Sequence, residues 1–373
     1  MKYDFLIVGA GLFGAVAAQM LHESGYKVLV IDSRREIGGN CQTVMHRGIM
    51  MHKYGAHIFH TSNEKVWQYV NRFAKFNNFI NSPLANYKGE LYNLPFNMNT
   101  FYQFYKTTTP TEARKAINKA REKYSEVEID NLEQQAISLV GKDIYEKLIK
   151  GYTEKQWGKP CDHLPPDIIK RLPLRFMFNN NYFNDTYQGI PIEGYSKMIA
   201  NMLQGIAVLC GVDYKNLNIL YPEVVYDKVI YTGSIDEFFN YCYGELEYRS
   251  LRFEHEELAI SNFQGNAVVN YTDKETSYTR IIEHKHFSFG TQPETIITYE
   301  YPDKWELGKE RYYPINNEKN NFLYQKYIKL SKQYPNLYFG GRLGLYKYLD
   351  MDKTIEAAFK LIDELTDSSV KNV

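Results

Sequence analysis

Tyr3-Asp4-Phe5-Leu6-Ile7-Val8-Gly9-Ala10-Gly11-Leu12-Phe13-Gly14 opens the chain with an apolar run that ends on spaced glycines. Ala15 to Ser24 then carries helical periodicity, and Lys27 to Ile31 is a second apolar run closed by Asp32. Strand, glycine turn, helix and strand in that order form a βαβ unit with an acid about twenty residues beyond the glycines. Gly9 permits the tight turn, Gly11 lets backbone approach a pyrophosphate, and Gly14 lets helix and strand pack closely. The free N–H groups of the helix start suit phosphate, and Asp32 suits ribose hydroxyls. The pattern predicts a dinucleotide site; the alternative is a tight structural turn in an unrelated α/β domain.

The residues after Asp32 narrow the dinucleotide. Arg34-Arg35-Glu36-Ile37-Gly38-Gly39-Asn40 places a second glycine pair just past the acid. Two glycines there suit backbone lying against a second part of a long, extended cofactor, and the acid followed by a glycine pair resembles the motif of FAD enzymes, which implies FAD rather than a nicotinamide dinucleotide. Arg34 and Arg35 are read as solvated surface charge, because Asp32 would repel a 2′-phosphate beside them.

Composition bounds the rest. The chain has 373 residues, and its 44 Lys plus Arg balance 44 Asp plus Glu, so no basic surplus points to nucleic acid and any anion site must be a local arginine cluster. Cys41, Cys161, Cys210 and Cys242 lie far apart without a C-x-x-C pair, as expected of reduced thiols in a cytoplasmic protein rather than disulfides or a metal site. The chain starts on a strand, so no signal peptide is expected, and no apolar run approaches the ~20 residues that span a bilayer. No metal and no membrane insertion are expected.

Along the chain, Asn63 to Phe76 reads as an amphipathic helix and Asn86 to Tyr92 as a hairpin turning at Lys88-Gly89. Helical patterns at Thr111–Tyr124, Asn131–Val140 and Lys142–Tyr152 form an insert. Pro160, Pro165, Pro166 and Pro173 punctuate a loop expected to be mobile over residues 160–175. Gly194 to Leu209 reads as helix, Asn218 to Thr232 as two strands, Leu246 to Tyr301 as antiparallel sheet, Asn317 to Tyr334 and Asp352 to Leu365 as helices, and Leu337 to Phe339 as a strand. The expected fold is α/β: a discontinuous Rossmann-like FAD-binding domain (1–80, 195–240 and 325–373), a helical domain (98–178), and an antiparallel β-sheet substrate domain (81–97, 179–194 and 241–324). A second glycine cluster, Gly340-Gly341-Arg342-Leu343-Gly344, departs from G-x-G-x-x-G and is read as closing over the flavin side of the one cofactor.

Several longer segments carry a specific resemblance. They are Ile37–Asn40, Tyr54-Gly55-Ala56-His57-Ile58-Phe59-His60-Thr61, Gly151-Tyr152-Thr153-Glu154-Lys155-Gln156-Trp157-Gly158, Tyr231-Thr232-Gly233, Tyr278 to Phe287, and Gly340 through Asp352. In that order they resemble the bacterial UDP-galactopyranose mutases, flavoenzymes that interconvert UDP-galactopyranose and UDP-galactofuranose. The resemblance implies a reduced flavin whose N5 attacks the anomeric carbon, with UDP leaving and returning and no net redox change. It also implies a homodimer.

The resemblance assigns roles position by position. To FAD it assigns Gly9, Gly11, Phe13, Gly14, Asp32, Ser33, Gly39, Asn40, His57, Arg342, Tyr348, Leu349, Asp350 and Met351. To catalysis it assigns Arg280, Arg342, His60 and Arg171, the last brought to the diphosphate by the loop between the prolines. To the UDP-sugar it assigns Asn81, Tyr152, Thr153, Gln156, Trp157, Arg171, Tyr182, Phe183, Arg249, Arg280, Tyr313 and Tyr348. Arginine forks suit phosphate oxygens, and aromatic rings suit a flat base. The bland readings are surface ion pairs for the arginines and core packing for many of the 33 tyrosines. His284 and His286 are read as structural.

Lys347 stands where an arginine is common in the family, Leu148 where an aromatic sits by the base, and Ala85 where a larger residue lies near the sugar. These leave open a mutase of a related UDP-sugar, N-acetylgalactosamine or arabinopyranose. The rival classes are a flavin oxidoreductase of the amine-oxidase kind and a non-catalytic UDP-sugar or flavin binder.

Overall fold

The computed structural model describes residues 1–124, 128–169 and 173–370. The Lys2–Val8 strand is central because Phe5, Leu6 and Ile7 are buried on alternate faces, as a covered parallel strand requires. The five-stranded sheet runs in the order Leu337–Phe339, Val225–Tyr231, Lys2–Val8, Val28–Asp32, Ala207–Cys210, every pair parallel. Strands from three distant parts of the chain thus build one sheet, as the discontinuous fold anticipates. Its first face packs the Leu12–Glu23, Tyr195–Met202 and Met351–Val370 helices through Phe13, Val16, Met198, Ile355 and Ile362. Val212, Leu217 and Val224 cover the other face.

Two segments differ from the sequence reading. The expected helix Gly194–Leu209 ends at Met202, Gly205 takes φ +80, and Ala207–Cys210 becomes the edge strand beside Val28–Asp32. A four-residue strand is too short for its period to show against the preceding helical pattern. The second of the two strands expected in 218–232 exists as Val225–Tyr231; the first is a helical turn, Leu217–Leu220.

The second sheet has seven strands, ordered Tyr313–Pro314, Tyr248–Leu258, Thr295–Lys304, Arg280–Glu283, Val268–Tyr271, Leu84–Tyr87, Glu90–Asn93. Its pairing is antiparallel except between Val268–Tyr271 and Leu84–Tyr87, which run parallel. The expected hairpin turn is present, with Lys88 and Gly89 both at positive φ.

A helical layer covers one end of this sheet. Thr109 and Glu112 cap the Pro110–Arg121 helix reciprocally, and Asn131 caps Leu132–Val140. The helix expected at Lys142–Tyr152 instead runs on to Trp157, passing through a π-helical stretch at Tyr145–Lys150, until Gly158 at φ +67 ends it. The helix expected over 63–76 stops at Asn71. Gly151 lets the last helix approach the sheet: a Cβ there would stand 2.4 Å from Thr272 O. Lys155 Nζ then donates to the carbonyls of Tyr271, Thr276 and Tyr278 at 2.8–3.0 Å. These ties fix the helix that carries Tyr152 against the strand that carries Arg280. No helix among the described residues is long and apolar enough to cross a membrane.

Candidate active site

The two N-terminal glycine turns touch. A Cβ on Gly39 would lie 2.9 Å from Gly11 Cα, and one on Gly14 would lie 1.9 Å from Gly9 O. Gly38 N–H donates to Ala10 O at 2.9 Å. Asp32 locks the pair, with Oδ2 accepting from Ala10 N–H at 2.7 Å and Oδ1 from Arg34 N–H at 2.8 Å. Burial pushes the Asp32 carboxyl up, against those two backbone donors. The Leu12–Glu23 helix begins at Gly11 with no side-chain cap, so its first N–H groups stay open to an anion. The third glycine turn joins through Phe13, whose ring would lie 2.2 Å from a Cβ on Gly340. A flat, side-chain-free cradle with open N–H donors fits a dinucleotide pyrophosphate.

Arg34 is not solvated surface charge. Its Nη2 donates to Asn40 Oδ1 at 2.9 Å and pairs with Glu310 at 2.7 Å, and its guanidinium lies over the Tyr54 ring. Its Nη1 is buried without a partner. Ser33 is exposed beside it, and Leu349 spends its carbonyl on Arg342 Nε at 2.7 Å.

From the cradle a cavity of about 530 Å³ opens between the two sheets and the helical layer. Asn40, His57, Arg342, Tyr348, Asp350 and Met351 line its cofactor side; Asn81, Tyr152, Thr153, Tyr182, Phe183, Arg280, Tyr313 and His60 line the rest. Sequence positions as distant as 40 and 351 therefore meet at one site. Leu148 lines it too, while Ala85 is buried beneath, paired in register with Asn270. Gln156, Trp157 and Arg249 fall outside the lining. Arg249 Nε donates to Gln156 O at 2.8 Å, so this arginine closes the C-terminal end of the Gly151–Trp157 helix. Arg171 lies outside the described residues.

Charge in the cavity is arranged around Arg280. Its Nη2 donates to Tyr152 Oη at 2.5 Å, and its Nε stands 3.1 Å from Glu300 Oε1. Burial opposes the Arg280 charge, but Glu300, Tyr152 and Tyr313 raise its pKa overall. Arg342 stacks over the Tyr348 ring at 4.8 Å. Burial pushes the Tyr152 and Tyr313 phenols up and Tyr348 up to about 12, so all three remain O–H donors at neutral pH.

The histidines divide by environment. His57 Nδ1–H donates to Gly55 O at 2.9 Å; burial, then Arg342, pushes its pKa down to about 4. Its backbone N–H donates to His52 Nδ1, and His52 N–H donates to His284 Nδ1, both at 3.1 Å. Burial keeps His52 and His284 neutral as well. They are struts beneath the Gly55–Ile58 loop, the structural role expected of His284. His60 is different: Nδ1 lies 2.7 Å from Asp185 Oδ2, and the ring stacks on Phe183 at 3.7 Å.

Two cavity residues, and one outside the lining that contacts His60, escape sequence reasoning. Asn270 and Glu300 flank Arg280 in register, one on each neighbouring strand. Asn270 Oδ1 is buried without a hydrogen-bond partner, and Glu300 is 3% exposed. The available signal was Glu300 within the apolar run Thr295 to Tyr301: a lone acid on a buried strand demands a cation opposite. Asp185 gave no signal, because its partner is 125 residues away.

Comparison with known proteins agrees with this geometry. The sequence profile of the UDP-galactopyranose mutase family matches residues 147–348, and that of the NAD(P)-binding Rossmann-like domain matches 7–73. A probable UDP-galactopyranose mutase of Klebsiella pneumoniae is 43% identical, covering 99% of this chain and 96% of that protein. A dTDP-fucopyranose mutase of Escherichia coli is 38% identical over 95% of this chain and 96% of its own length. The crystal structure of a reduced UDP-galactopyranose mutase superposes with a TM-score of 0.74 over 98% of this chain and 96% of that one; at 14% identity this establishes the fold alone. Similarity to pig amine oxidase B is limited to 13% of this chain. Full-length identity, the profile match and a glycine cradle opening into an arginine- and tyrosine-lined cavity converge: the chain belongs to the UDP-galactopyranose mutase family of flavin-dependent enzymes.

Proposed function

We propose that this protein interconverts UDP-galactopyranose and UDP-galactofuranose with FAD as its cofactor, active when reduced. The observation that carries the reading is the placement of Arg280 and Arg342 in one cavity with Tyr152, Tyr313 and Tyr348, directly beyond the glycine cradle. Two guanidinium groups with phenol donors suit a diphosphate that must leave and be held for return. When bound and reduced, the flavin supplies the nucleophile.

The remaining work belongs to side chains. Glu300 pairs with the Arg280 charge from 3.1 Å without hydrogen-bonding Nε, and Tyr152 accepts from Nη2, which orients the fork with Nη1 left for phosphate. Arg342, held through Nε by Leu349 O, presents its outer nitrogens from the cofactor side. Charge localises on the departing phosphate, so aligned donors count most at that stage. Tyr348 and Tyr313 donate from their raised-pKa phenols. Asn81, Thr153, Tyr182 and Phe183 bound the sugar and nucleoside, with Gln156, Trp157 and Arg249 supporting that wall from behind. Neutral His57 offers Nε2 as an acceptor near the cofactor. A homodimer in the cytoplasm completes the reading.

The test incubates dithionite-reduced protein with UDP-galactofuranose and separates the products by chromatography. UDP-galactopyranose is expected, and only from reduced protein. A second substrate class has direct support in the dTDP-fucopyranose mutase relative. The matching dTDP-sugar is therefore run in parallel, with UDP-N-acetylgalactosamine and UDP-arabinopyranose.

A further inference from the structure

Tyr152 and Arg280 are joined by a hydrogen bond, yet one sits on a helix and the other on a strand of a different layer. Next to both lies the turn 272–279, which links Val268–Tyr271 to Arg280–Glu283 and contributes Thr272 to the cavity wall. Lys155 ties this turn to the helix. Its Nζ donates to Tyr271 O at 2.8 Å, to Tyr278 O at 2.9 Å and to Thr276 O at 3.0 Å. An ammonium has three N–H donors, and these three carbonyls take them all. The carbonyls come from both ends of the turn, so one side chain sets its span. Gly151, four residues earlier on the same helix, admits the turn's backbone: a Cβ there would stand 2.9 Å from the Asp273 carbonyl carbon.

We propose that the Lys155 ammonium is a positioning group of the mutase reaction: by gathering these carbonyls it holds Tyr152 and Arg280 in the alignment that the departing diphosphate needs. The inference rests on the mutase reading above and adds to it a residue outside the cavity lining. The acids nearest Lys155 have other partners. The Asp273 carboxylate accepts from Thr276 N–H at 2.7 Å and from Thr276 Oγ1 at 3.0 Å. Glu275 pairs with Lys88 at 2.8 Å. Glu154, beside Lys155 on the helix, pairs with Lys274 at 3.5 Å and accepts from Cys161 N–H at 3.3 Å. The Tyr271 and Tyr278 phenols are pushed up by burial and stay neutral. Carbonyls rather than an ion pair therefore hold the ammonium, and three converging acceptors fix a point where a single carboxylate would allow slippage. Burial pushes Lys155 down to about 8, against the opposing pull of Asp273 and Glu275. A neutral amine has only two N–H donors and would turn its lone pair on the third carbonyl.

The experiment measures kcat and KM of the reduced holoenzyme for wild type, Lys155→Met, Tyr152→Phe and the double variant, each first checked for flavin content. Lys155→Met should lower kcat by about 10- to 100-fold with KM within about threefold, the scale for misplacing a reacting group by up to an ångström. The double variant should lie within about threefold of the slower single variant, because both substitutions break one alignment. Wild-type kcat in Lys155→Met, or full multiplication of the two losses, would overturn the role. Lys155→Cys treated with 2-bromoethylamine, which rebuilds the side chain with sulfur in place of Cγ, should recover kcat relative to identically treated wild type; no recovery would overturn the need for the ammonium. The unsubstituted protein gives a check that needs no variant. Its kcat should be full below about pH 8 and fall as pH rises through that value, and in the aminoethylated variant the fall should move to lower pH, because sulfur weakens the amine as a base. A kcat level up to about pH 10, near the ordinary lysine value, would overturn the proposal even if Lys155→Met does not fold. Failure of the reduced wild-type protein to turn over would instead remove the mutase reading, and this inference with it.

Discussion

Arg280 and Glu300 stand opposite each other on adjacent strands, Nε and Oε1 3.1 Å apart, with Asn270 on the far side of the arginine. The guanidinium is partly open to the cavity, whereas the carboxylate is almost wholly enclosed. Removing Glu300 leaves a half-buried cation without its neutralising partner. Glu300→Ala should therefore destabilise the fold by about 3 kcal/mol, the low end for breaking a buried pair. Urea unfolding checks this. A midpoint equal to wild type would mean that the pair contributes nothing.

Arg280 and Arg342 are expected to matter more for rate than for affinity. Each alanine variant should lose at least ~10²-fold in kcat, as when one preorganised donor is removed from a developing charge. Arg280→Lys should rescue little, because an ammonium cannot reproduce a planar fork that is charge-paired with Glu300 and hydrogen-bonded to Tyr152. Steady-state kinetics on reduced enzyme decide it; near-wild-type rates for both alanine variants would place the diphosphate elsewhere.

Gly39→Ala should yield colourless, poorly loaded protein. The new Cβ would meet Gly11 Cα at 2.9 Å at a residue whose φ is +54, forcing apart the two turns that form the cradle. Flavin absorbance per protein, read beside circular dichroism, separates loss of cofactor from loss of fold. Full flavin loading in a folded variant would show that the cradle tolerates the change.

Acid should destabilise the protein through its buried histidines. Burial holds His57 down to about 4, His284 down to about 3 and His52 well below its ordinary 6.5. The unfolded chain takes up protons near 6.5 while the native state does not, so the unfolded state binds more protons in that window. Stability is full above about pH 6.5 and falls as pH drops toward about 4. Urea midpoints measured across that range should decline steadily. A flat profile would mean that these rings are protonated in the fold.

Much of this was legible because local chemistry and tertiary role coincide. Gly9, Gly11, Gly14 and Asp32 belong to one continuous unit whose spacing follows from packing around a pyrophosphate. Arg280, Tyr152 and Tyr348 came through resemblance of whole segments, and the fold brings them together. What escaped depends on pairings between distant strands. Nothing near Asp185 announces His60, and nothing near Arg249 announces that it closes a helix end rather than facing the cavity. Arg34 looked solvated because its partners, Glu310 and Tyr54, lie far along the chain. The Ala207–Cys210 strand was hidden because four residues carry too little period to outweigh the helix before them.

The most direct test of the central claim is product analysis of UDP-galactofuranose incubated with the reduced and the oxidised protein under anaerobic conditions. The account predicts UDP-galactopyranose from the reduced protein, little or none from the oxidised, and no stoichiometric flavin oxidation during turnover. Equal conversion by the fully oxidised protein, or substrate oxidation matching flavin reduction, would contradict it.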